Sequence, residues 1–126
     1  MKRRTAREKA LQILFPLDQE DFNLEQAIQY QIDLEDRDDF LLQLIEGVVA
    51  NQAKIDQKIS DHLEKWSLHR LANVERALLR IATFELFFHQ DAPPNVVINE
   101  AIEIAHVFGD DKSGKFINGV LSKMNK

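Results

Sequence analysis

Apolar residues recur along this chain at three- and four-residue intervals, the spacing that gathers them on one face of an α-helix. The first series is Ala6, Ala10, Ile13, Leu14 and Leu17. Ahead of it, Thr5-Ala6-Arg7-Glu8 has capping-box spacing, which predicts that Thr5 accepts a backbone N–H and Glu8 reaches back. Pro16 distorts the last turn unless the helix ends before it. Asn23 is placed to cap a second helix with Leu24, Ala27, Ile28 and Ile32 inward. Asp36 or Asp38 is placed to cap a third, on which Phe40, Leu41, Leu44, Ile45, Val48 and Val49 form a wide stripe. Asn51 marks a break before a fourth run through Ile55, Ile59, Leu63 and Trp66.

Asn73 opens the strongest pattern, with Val74, Ala77, Leu78, Ile81, Ala82 and Glu85 along one side, and Pro93-Pro94 stops it. A sixth helix carries Val97, Ile98, Ala101, Ile102 and Ala105 and ends near Gly109. Ser113 is placed to cap a seventh through Phe116, Ile117, Val120, Leu121 and Met124. Between Pro16 and Pro93 lie 76 residues with one glycine, Gly47, whereas an all-β chain needs frequent turn residues. The pattern is therefore all-α, with about seven helices. Gly47 and Gly119 interrupt helical patterns at a cost of about 1 kcal/mol each relative to Ala, which predicts close helix–helix approach at both.

A length of 126 residues supports one compact domain or two small subdomains, and the 44% apolar and 29% charged fractions are those of a folded protein. The absence of Cys excludes a disulfide framework and Cys-bearing zinc sites. No apolar run is long enough to span a membrane. The basic start, MKRR, precedes too short and interrupted an apolar stretch for a secretory signal, so it is read as part of the mature fold.

The net charge of −5 argues against nucleic acid until it is resolved by position. Residues 1–9 carry Lys2, Arg3, Arg4, Arg7 and Lys9 against Glu8, a balance of +4, leaving −9 for the rest. Residues 18–39 hold nine acids and only Arg37. Such asymmetry points to two partners of opposite sign. On a helix, Arg3, Arg4 and Arg7 lie three and four apart and can present guanidinium groups to successive phosphates, with Phe15 two turns on as a stacking surface. A solvated basic cap on a core helix, with Phe15 buried, fits the charge pattern equally well.

Other constellations carry less. Gly109-Asp-Asp-Lys-Ser-Gly-Lys115 matches part of the phosphate-binding GxxxxGK pattern, but Phe116 replaces the Ser/Thr for magnesium and the preceding segment reads as helix. An interhelical turn with Lys112 and Lys115 facing one way is the better reading. Glu103 and His106 have di-iron spacing without the remaining ligands, which favours a polar helix face. No nucleophilic grouping or cofactor motif stands out, and no catalytic or metal site is assigned. Glu85 and Glu100, in apolar helices, call for partners, and Arg80 or Arg76 are the candidates. The run Phe84-Glu-Leu-Phe-Phe88 predicts that one Phe points outward at a protein interface.

Four blocks, in order, resemble the NusB family of transcription antitermination factors. They are Arg4-Thr-Ala-Arg-Glu-Lys-Ala-Leu-Gln-Ile-Leu-Phe15, Val74-Glu-Arg-Ala-Leu-Leu-Arg-Ile-Ala-Thr-Phe-Glu-Leu86, Val97-Ile-Asn-Glu-Ala-Ile-Glu-Ile-Ala105 and Lys115-Phe-Ile-Asn-Gly-Val-Leu121. The resemblance implies two packed helical subdomains, roughly 1–65 and 66–126. It also implies a non-catalytic cytoplasmic factor, without cofactor, that binds boxA-containing single-stranded RNA of ribosomal RNA operons. NusE, a small-subunit ribosomal protein, would be its partner in loading an antitermination complex onto RNA polymerase.

Carried over to matching positions, RNA contacts fall at Lys2, Arg3, Arg4, Arg7, Phe15, Glu75, Arg76, Lys112, Ser113, Lys115 and Phe116. The glycine-containing turn then becomes an RNA-facing helix N-terminus with free backbone N–H groups. Pro16, directly after the aromatic position, departs from the family pattern. The same fold also occurs as a domain of ribosomal RNA cytosine methyltransferases, but 126 residues leave no room for their cofactor domain. A helical protein-interaction module without direct RNA binding is the alternative. The acidic 18–39 region is the expected docking face for a basic ribosomal protein, and a homodimer remains open.

Overall fold

A computed structural model describes residues 1–33 and 37–125. Among them are seven α-helices: α1 (Arg3–Leu14), α2 (Leu24–Gln31), α3 (Asp39–Ala50), α4 (Gln52–Ser60), α5 (Asn73–Phe87), α6 (Pro94–Phe108) and α7 (Asp111–Met124). A 3-10 turn at Leu68–Arg70 leads into α5. The all-α expectation holds, and no helix among the described residues is long and apolar enough to cross a membrane.

The centre of the fold is α5. Every residue from Ala77 to Leu86 is buried, including Arg80, Thr83 and Glu85. A helix buried on all sides must be surrounded, and α1, α3, α4, α6 and α7 all pack on it. The stripe on α3 faces this core, with Leu41, Leu44, Ile45 and Val48 fully buried. Removing each such side chain from water contributes about 1.5–3 kcal/mol. The same continuous cluster takes in Leu11 and Leu14 of α1, Ile55 and Ile59 of α4, Ile104 of α6 and Ile117 and Leu121 of α7.

Helix ends follow local hydrogen-bond chemistry, at two starts three residues from the expected cap. Asn23 and Asp38 cap α2 and α3, accepting the N–H groups of Gln26 and Leu41 at 3.0 and 3.1 Å. Asp36, the other candidate for α3, lies outside the described residues. Thr5 is not a cap, because α1 starts two residues earlier from an extended Lys2. Nor is Ser113: Asp110 caps α7, and Ser113 lies buried in its first turn. Phe15 ends α1, so Pro16 falls past the helix and does not kink it. Pro94 is the first residue of α6, where its missing N–H costs nothing. The pair Pro93-Pro94 thus starts a helix, α5 having closed at Phe87.

The two glycines expected within helices part company. A Cβ on Gly47 would fall 2.1 Å from Cζ of Phe84, so its absence lets α3 lie directly on α5. Gly119 faces open space, against expectation. The close approach between α6 and α7 occurs instead at Gly114, where a Cβ would fall 2.4 Å from Nε2 of His106. None of the Phe84–Phe88 aromatics is exposed. Phe84 is buried, while Phe87 and Phe88 are half-buried, with the Lys58 ammonium 4.3 Å from the Phe87 ring centre.

Candidate functional site

The arginines of α1 form a network with carboxylates rather than a row of free cations. Arg7 is only 4% exposed, and donates from Nε and Nη2 to the two oxygens of Glu85, both at 2.8 Å. Its Nη1 reaches Glu100 Oε1 at 3.5 Å. Arg4 fills the rest of that carboxylate, its Nε donating to Oε1 at 2.8 Å and its Nη2 to Oε2. The hydrogen bonds from Arg4, helped by its charge and that of Arg7, hold the Glu100 carboxyl below its ordinary range. Arg3 pairs with Asp91 at 2.5 Å and lies over the Phe40 ring, 4.2 Å from its centre. Lys2 is exposed.

These partners differ from the expected ones. Glu85 and Glu100 meet Arg7 and Arg4, not Arg80 or Arg76. Five residues along α5 place Glu85 about 140° around the helix from Arg80, so the two face different neighbours. Arg80, 2% exposed, is forked onto Asp18 and Asp56 by four hydrogen bonds of 2.8–3.0 Å. Burial alone would lower its pKa, but the hydrogen bonds and charges of the two aspartates outweigh it and hold it above its ordinary value. Asp18 is held below its ordinary range, first by the hydrogen bonds from Arg80 and then by nearby positive charge.

The far end of α1 leads to the second group of expected site residues. Phe15 is 44% exposed. One turn on, Asp18 also binds Arg76 Nε at 2.9 Å. Arg76 donates further to the carbonyl of His69 at 3.1 Å, so its guanidinium holds the α5 entry together and is not free for a ligand. Beside it, half-buried Glu75 lines a cleft of about 310 Å³ with Trp66, Arg70, Lys112 and Phe116. Across Trp66 and Phe116 a second cleft of about 260 Å³ takes in Lys115, Lys65, Gly119 and Lys123. The two clefts share an aromatic wall ringed by cations.

Lys112 and Lys115 are exposed, three apart on α7, and within Gly109–Lys115 only Gly109 and Asp110 lie between helices. Two details there revise the reading from sequence. The Ser113 N–H donates to Asp110 Oδ1 at 2.8 Å, so the α7 N-terminus is already capped by an anion and the exposed positive charge there is that of the lysine side chains. Ser113 itself is buried behind them. His106 and Glu103 are both exposed, as a polar helix face requires, and His106 also lies over Gly114.

Trp66 and Arg70 line the Glu75 cleft and are not among the residues expected from sequence. Ile55, Ile59, Leu63 and Trp66 keep helical spacing, which predicts a shared face, but Trp66 is 54% exposed. The helix ends at Ser60, and the signal that separates Trp66 from the core is its setting in Glu64-Lys65-Trp66-Ser67, polar on both sides.

The NusB family model matches residues 4–126. A transcription antitermination protein NusB from Bacillus licheniformis is 55% identical over 124 residues, covering 98% of this chain and 96% of the relative. Among solved structures, T. maritima NusB superposes with a TM-score of 0.90 at 42% identity, covering 99% of this chain and 91% of that one. A crystal structure of the antitermination factors NusB and NusE in complex with dsRNA contains a chain matched with a TM-score of 0.86 at 29% identity, covering 98% of this chain and 95% of that one.

Proposed function

The chain belongs to the NusB family of transcription antitermination proteins, and from that premise we propose that it binds single-stranded boxA RNA of ribosomal RNA operons as a non-catalytic cytoplasmic factor. It acts together with NusE, and the pair helps load the antitermination complex on RNA polymerase. The observation that carries this reading is the aromatic wall of Trp66 and Phe116 between two cation-edged clefts.

Stacking a base on such a ring contributes about 1–3 kcal/mol and tolerates any base. Lys112, Lys115 and Arg70 supply phosphate attraction, and Glu75 accepts hydrogen bonds from base amino groups, which reads sequence. Lys2, Arg3 and Arg4 at the start of α1 and Phe15 at its close complete the surface. Arg7, Arg76 and Ser113 support it from within. The exposed acids Glu20, Asp21 and Glu25 leave a negative face for a basic partner such as NusE.

Titrating boxA-type and scrambled RNA at two salt concentrations, with and without NusE, tests the proposal. Tight, sequence-selective binding with a salt slope near −0.7 per phosphate neutralised is expected. Phe116→Ala and Trp66→Ala should each weaken it by about 1–3 kcal/mol while leaving the circular dichroism unchanged. Binding that is absent, or equal for both RNAs and indifferent to salt, sinks it. The internal pairing of the α1 arginines favours one second reading, a protein-interaction module. NusE capture unaffected by RNA or by arginine changes, with no RNA binding, would establish that reading instead.

A further inference from the structure

Arg4 keeps 42% of its side chain exposed, yet one edge of its guanidinium is filled by both oxygens of Glu100. A carboxylate in that fork presents the same pair of anionic oxygens as a phosphate. Arg7 repeats the fork on Glu85, and Arg3 makes a single contact with Asp91. Three guanidinium charges therefore face three carboxylates, and the end of the molecule that is most basic in sequence is nearly neutral in space. Glu100 is the pivotal acid. It is 20% exposed, is fixed within α6, and receives two arginines, whereas Asp91 is 45% exposed and meets Arg3 alone.

We infer that Glu100 is a specificity-determining residue: its charge occupies the phosphate-binding fork of Arg4 and holds down sequence-independent attraction to RNA. The inference rests on the RNA-binding reading above. Phosphate neutralisation supplies most non-specific affinity but carries no sequence information. Selectivity is a difference between affinities, so an internal anion that weakens the shared part leaves discrimination to the aromatic clefts and Glu75.

Glu100→Gln isolates the charge, because the amide keeps an oxygen that accepts from Arg4 and nearly the same volume. Affinities for scrambled and boxA-type RNA are measured at two salt concentrations for the wild type, Glu100→Gln, Arg4→Ala and the double variant. The expected result is an affinity for scrambled RNA raised about threefold or more at low salt, a slope steeper by up to about 0.7, and a smaller gain for boxA-type RNA. The gain should vanish when Arg4 is Ala. A folded Glu100→Gln protein whose affinity for scrambled RNA is unchanged or reduced overturns the inference, as does a gain that survives Arg4→Ala. Should that variant lose helicity, Glu100→Ala also removes the charge and suits a helix interior, and the same gain is required of it. Wild-type protein that binds neither RNA overturns the RNA reading itself, while wild-type binding with no gain in either variant overturns only the role of Glu100.

Discussion

Arg7 is held by Glu85 across a separation of 78 residues in sequence, with both side chains buried. Such a pair is worth little net, because desolvation offsets most of the attraction, but breaking it strands a charge in the core. Arg7→Ala should therefore cost about 3–5 kcal/mol in urea unfolding, and replacing both residues by apolar ones of similar size should recover most of that loss. An equal loss in the double variant would show that packing matters and the stranded charge does not. At this scale the sequence is informative about need and silent about partner. Glu85 and Glu100 sit visibly among apolar neighbours and must be satisfied, yet nearby Arg80 and Arg76 are the wrong partners, because direction around α5 decides and not proximity along it. Trp66 illustrates the same limit, since its spacing from Leu63 is helical and the chain there is not.

At the scale of helices, the three- and four-residue periodicity locates all seven, since burying an apolar stripe is what each must do. Their ends are harder to read. Oxygen-bearing side chains stand near the starts, yet backbone geometry decides: it selects Asp110 over Ser113 for α7 and starts α1 from Lys2, with no side-chain cap, ahead of Thr5. Helix spacing is harder still, because glycine looks the same whether it meets a neighbour or water. Alanine at both glycines separates the cases. Gly47→Ala gains about 1 kcal/mol in helix propensity but forces its Cβ into the Phe84 ring, itself stacked on His89 with centres 5.8 Å apart. Overpacking of that kind costs about 1–3 kcal/mol, so net destabilisation is expected. Gly119→Ala meets nothing and should stabilise by up to about 1 kcal/mol. Urea midpoints read at constant m-value check both signs.

For the whole molecule, the balance of −5 conceals an internal settlement of charge. Asp18 and Glu100 have folded pKa values below their ordinary 3.8 and 4.5. The unfolded chain therefore binds protons first as pH falls, so the stability these groups supply is complete above about pH 5 and is lost as the folded values are crossed. The urea midpoint should be flat from neutrality to about pH 5 and should fall below about pH 4. Asp18→Asn should be less stable at neutral pH and show a shallower acid limb. An unchanged acid limb would remove Asp18 from the account.

The same ion pairs fasten α1 to α5 at two places, Arg7 with Glu85 near its start and Asp18 with Arg76 and Arg80 just past its end. A rod riveted at both ends does not slide. The eleven steps from Arg4 to Phe15 rise about 16 Å along the helix, so the cationic and aromatic ends of the proposed surface form a gauge of set length. An RNA shorter than the gauge grips one end or the other. One long enough to span it makes the second contact at the high effective concentration created by the first. On the proposed RNA-binding role, such a protein would measure the extent of the segment it accepts as well as the bases within it.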